Sequence, residues 1–164
     1  MRIYEGSPRQ DFQEVLRSIG AFLDQRGMRD VLLVEAPDGF IVQGLVVETT
    51  GTGAWNDLAG HQRKETLTFL DDDIARFMDE AIARRGTGPS AQNWTRAGYY
   101  ERALRVIGRW IDEQKPRDIF FFEQDGAFVV RLYMMTQAGG HHMIAEFTKE
   151  DMEGLVAQAP YKRQ

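Results

Sequence analysis

The residues of this chain best suited to chemistry are three histidines, His61, His141 and His142, each placed just before an expected third strand in its half of the sequence. Brought to one point, with a carboxylate such as Glu146, they would form a nitrogen-rich site for zinc or another divalent ion and would support metal-dependent hydrolysis. The adjacent pair works against that arrangement, because neighbouring residues of a strand point to opposite faces. A metal is therefore a secondary expectation, and no other cofactor is expected.

Glu35 and Glu123 close two apolar runs and could serve as a paired acid and base. Ion pairing with Arg29 or Arg117, or simple solvation, accounts for their recurrence as well. Asp71-Asp72-Asp73 has the look of a cation cluster, but it stands where a helix begins, and the positive end of a helix attracts carboxylates. Gly51-Thr52-Gly53 and Gly86-Thr87-Gly88 lack the Gly-Lys-Ser/Thr ending of a phosphate loop. With no cysteine in the chain, thiolate catalysis, disulfides and Cys-ligated zinc are excluded. No catalytic residue is assigned.

Two tryptophans lie in polar connecting segments, Trp55 within TTGTGAWNDLAGHQR and Trp94 within GTGPSAQNWTRAG. A long connection with little structure of its own is usually functional or disordered, and tryptophan is favoured where partners meet, so these residues either anchor a partner or pack locally. Trp55, Trp94 and His61 are the candidate binding residues.

The elements that must position these groups come in two similar sets. LRSIGAFLDQRGMRDVLLVE from Leu16 aligns without a gap with LRVIGRWIDEQKPRDIFFFE from Leu104, a constant offset of 88. Phe12, Val15, Leu16, Ile19, Phe22 and Leu23 have helical spacing, and so do Tyr100, Ala103, Leu104, Ile107, Trp110 and Ile111, which gives each helix one apolar stripe. Ser7 and Thr95 are in place to cap these helices, while Gly27 and Pro116 end them by different means. Apolar runs follow on either side of Asp38-Gly39 and Asp125-Gly126, which reads as a pair of β-hairpins with different turn geometries. Further on, KETLTFLDDDIARFM matches HHMIAEFTKEDMEGLV at an offset of 78, so the first copy carries ten extra residues around Trp55.

The expected fold class is α+β: an internally duplicated α-β-β-β-α unit forming a mainly antiparallel six-stranded sheet, with helices packed on one face and a pseudo-twofold relating the halves. Hairpins argue against a parallel sheet, whose neighbours need long crossovers. The chain reads as a single domain, residues 1–164, built from repeats at about 7–85 and 95–159 with a linker at about 86–94, because two units this small gain from sharing a core. If Leu33 and Phe121 face the helices, Leu32, Val34, Phe120 and Phe122 form a second, apolar face. The order helix, three strands, helix is similar in outline to small secretion-chaperone-like domains.

A net charge of −5 with interspersed signs argues against a nonspecific nucleic-acid binder. No apolar run is long enough to span a bilayer and the N-terminus has no signal-peptide pattern, so a cytoplasmic protein without membrane contact is expected. The first functional expectation is a non-enzymatic protein-binding module, an adaptor or chaperone-like protein that holds a partner or a second copy of itself. A metal-dependent hydrolase or metal-binding protein using the histidines is the alternative, and a small-ligand sensor is a third.

Overall fold

The computed structural model describes residues 12–48, 61–85 and 98–158. Ten elements follow in order: α1 (Phe12–Arg26), β1 (Met28–Ala36), β2 (Gly39–Glu48), β3 (His61–Leu70), α2 (Asp71–Arg85), α3 (Tyr99–Gln114), β4 (Asp118–Gln124), β5 (Ala127–Thr136), β6 (Gly139–Phe147) and α4 (Lys149–Gln158). The strands form one sheet in the order β3-β2-β1-β4-β5-β6, and every neighbouring pair is antiparallel. This is an α+β architecture in which β1 and β4 are central and β3 and β6 are the edges.

The apolar stripes become the core. Val15, Leu16, Ile19 and Leu23 of α1 and Leu104, Ile107 and Ile111 of α3 have no exposed surface, and they join Leu33, Phe40, Val42, Phe121, Phe128 and Val130 from the sheet in one cluster. Phe22 and Trp110 lie at its margin, Trp110 edge-on to Phe147 with ring centroids 5.3 Å apart. Ile74 of α2 and Met152 of α4 complete it.

α1 and α3 meet backbone to backbone. A Cβ at Gly20 would collide with the main chain of Tyr100 and Glu101, and one at Gly108 with the main chain of Phe12 and Gln13. The Asp112 carboxylate accepts from the N–H groups of Phe12 and Gln13 at 2.9 and 3.0 Å, while that of Asp24 accepts from Tyr100 and Glu101 at 3.0 and 2.9 Å. Each helix is thus capped by the other, which satisfies amides that have no intrahelical acceptor. Gly98, the residue before α3, makes no side-chain cap, and Asp24 supplies the acceptor there; Ser7 and Thr95, the expected caps, lie outside the described residues.

Two further expectations are corrected by the backbone. Both first helices end the same way, on a left-handed residue: Gly27 (φ 68°) after α1 and Lys115 (φ 53°) after α3, whose N–H bonds the Ile111 carbonyl. Pro116 follows that cap rather than making it. The first hairpin turns on Pro37-Asp38, not Asp38-Gly39, since Ala36 pairs with Gly39. Proline cannot take a positive φ, so the turn differs from Asp125-Gly126, where φ is 51° and 81° as a type I′ turn requires. Gly39 is needed for another reason: a Cβ there would strike the Phe69 carbonyl on β3.

Candidate functional site

Alternation along the strands divides the sheet cleanly. Leu33 and Phe121 sit opposite each other on the central pair and are fully buried on the helix side. Their neighbours Leu32, Val34, Phe120 and Phe122 point the other way, into a face that no described helix covers. Two rows cross the middle of this face. One runs Thr68, Ile41, Val34, Phe120, Arg131, Ile144, and the other Thr66, Gln43, Leu32, Phe122, Val129, Glu146. Seven of these twelve positions are aliphatic or aromatic, whereas the solvated face of an antiparallel sheet is normally polar. Ile144 is 68% exposed and Ile41 38%.

Both rows are apolar where the central strands meet, flanked by Thr66, Thr68 and Gln43 toward β3 and by Arg131 and Glu146 toward β6, with Ile144 the apolar exception at the β6 edge. Phe120 and Phe122 contact edge to face at 6.1 Å, and the Arg131 guanidinium lies 5.0 Å from the Phe120 ring centre. Thr66 and Thr68 stand at the β3 edge and Glu146 at the β6 edge; Gln43 bonds Thr66 Oγ1 at 3.0 Å. Such a gradient matches protein contact surfaces, in which a dehydrated centre is ringed by hydrophilic groups.

The histidines are not brought together. His61 opens β3, and His141 and His142 lie inside β6 rather than before it, so they occupy the two opposite edges of the sheet. Five interstrand spacings separate those edges, roughly 24 Å. His142 is against Tyr133 on the open face, with ring centroids 5.3 Å apart, and His141 pairs with Met134 toward the other side. Among the described residues no group of three or more His, Asp or Glu side chains is placed to hold a metal ion. Trp55 and Trp94 lie outside the described residues.

Glu35 and Glu123 do not form an acid–base pair either. Glu35 accepts from the Ile119 N–H at 3.1 Å, and Glu123 accepts from the Tyr100 hydroxyl at 2.9 Å. Glu35 therefore ties β1 to β4, whereas Glu123 ties β4 to α3 of its own half through Tyr100 and reaches β1 through the Asp30 N–H. Burial raises the Glu123 carboxyl above its ordinary value, with the Tyr100 hydroxyl and the Asp30 N–H pulling part of the way back. Burial, then the Glu123 charge, drives the Tyr100 phenol far above its usual range, so the hydroxyl stays a donor. Asp24 is also raised, by burial first, against the N–H groups it caps. The acidic helix starts are structural: Asp73 Oδ2 accepts from the Leu70 N–H at 3.1 Å, and Asp151 and Thr148 bond reciprocally at 3.0 and 3.1 Å in a capping box.

One buried charge was not singled out from the sequence. Arg17, 2% exposed, reaches Glu14 at 3.0 Å and Glu101 at 3.4 Å. Arg105, 88 positions on, donates to the Gln13 amide oxygen at 3.2 and 3.3 Å. The signal was available, because Arg17/Arg105 and Asp24/Asp112 are among the identities of the aligned stretches.

Among the described residues no helix is long and apolar enough to cross a membrane. No protein-family model, curated protein or solved structure matches the chain.

Proposed function

We propose that this protein is a non-enzymatic binding module, adaptor-like or chaperone-like and cytoplasmic, whose working surface is the sheet face that no described helix covers. The observation that carries this reading is the central apolar patch formed by Leu32, Val34, Phe120 and Phe122 with Ile41 and Ile144, on the side of the sheet away from the core. Contiguous exposed apolar patches rimmed by polar residues mark interaction sites. The scaffold behind it is read as a duplicated α-β-β-β-α unit with a pseudo-twofold passing between Leu33 and Phe121. Support comes from the pairing of two residues 88 apart and from the reciprocal Asp24/Asp112 caps and Gly20/Gly108 contacts. With the histidines on opposite edges, nothing favours the metal reading over this one.

A photoreactive side chain at position 144 or 41, compared with one at Arg109 on the exposed surface of α3, tests the assignment in living cells. Discrete cross-linked protein species are expected from 144 and 41 and not from 109. Absence of cross-links from the sheet positions would remove the reading.

A further inference from the structure

The occupant of the open face can be argued from its dimensions and from the arrangement of its charges. Six strands of seven to ten residues present a face of roughly 800 Å² at the usual strand spacing and rise. That is about what each partner contributes to a standard stable interface. A peptide or a single helix would leave much of it wet, whereas a second sheet of the same size would cover it.

The two rows are also complementary to each other at their centre. Phe120 and Val34 lie on one row, Phe122 and Leu32 on the other; Arg131 lies on the first and Glu146, one strand further out, on the second. A twofold axis between the rows and perpendicular to the strands would place the first row of one copy over the second row of another. Phe120 would then meet Phe122 and Val34 would meet Leu32, while toward the edges Ile41 would fall over Gln43 and Ile144 over Glu146. The same operation brings Arg131 within one strand spacing of Glu146 of the second copy, and does so twice. An isologous contact requires this kind of self-complementarity.

We infer that the open face is occupied by a second copy of this chain, the two sheets packing face to face with their helices outward, stacked about 10 Å apart as in other sheet pairs. This deepens the binding-surface reading and rests on it. Light scattering of the full chain across micromolar concentrations is expected to give twice the chain mass. Ile144→Glu, at a position too exposed to matter for folding, sets a carboxylate over Glu146 of the second copy and gives Arg131 a competing partner on its own sheet, and Phe122→Glu sets one at the apolar centre; both are expected to weaken self-association at least about tenfold. Arg131→Glu is expected to weaken it, and Arg131→Glu combined with Glu146→Arg to restore it. A chain that stays monomeric throughout overturns the inference, as does a dimer indifferent to Ile144→Glu. If the chain is monomeric yet position 144 still cross-links to a different protein in cells, the face is a binding surface with another occupant. If position 144 cross-links to nothing, the binding reading falls as well.

Discussion

Glu123 shows how a residue that looks catalytic becomes structural once its neighbours are known. Its carboxylate is held by the Tyr100 hydroxyl and lies far enough from water that burial raises its proton affinity. A carboxyl whose folded value lies above its unfolded value binds more protons in the native state. Its contribution therefore favours folding as pH falls toward the unfolded value and opposes folding as pH rises through the folded one. Glu123→Gln removes that charge while keeping an acceptor for Tyr100. The stability of the variant relative to the parent, measured by urea unfolding, is expected to be higher at pH 7.5 than at pH 5. A difference independent of pH would show that Glu123 does not carry the burial penalty. The histidines teach the converse: their chemistry was legible from residue type, but their separation depends on strand order, which no local spacing encodes.

At the scale of elements, while the ten-residue insertion around Trp55 lies mostly outside the described residues, the helices and hairpins were readable because each follows from periodicity or from a turn residue. Their ends were less so. Lys115 adopts the left-handed cap that a glycine provides in the other half, and a lysine there carries no local signal for it. The caps of α1 and α3 were illegible for a related reason, since Asp112 and Asp24 act across some hundred and some eighty residues of chain. The two glycines that let these helices touch lead to a definite expectation. By helix propensity alone Gly108→Ala would stabilise by up to about 1 kcal/mol. Here the new methyl meets the Phe12 carbonyl and the Gln13 backbone, which cannot move without shifting α1, and overpacking of this kind costs about 1–3 kcal/mol. The collision outweighs the propensity, so the melting temperature is expected to fall by a few degrees in thermal unfolding; a rise would mean that the helices are not in backbone contact.

Among the described residues, burial at the scale of the whole molecule is one-sided. Helices and sheet share a single core, and the opposite surface has a half-buried apolar centre that no described helix covers. That asymmetry was foreseeable from strands apolar at alternate and intervening positions, although which residues faced out became definite only when Leu33 and Phe121 were seen to meet on the helix side. Side-chain footprinting with a carbene reagent tests directly whether this surface is a contact surface. The protein is labelled once in clarified extract of the cells that make it and again after purification and extensive dilution. Labelling at Leu32, Val34, Phe122 and Ile144 is expected to be low in extract and to rise several-fold on dilution, with Arg109 labelled equally in both. Equal labelling of the sheet face in the two conditions would contradict the account.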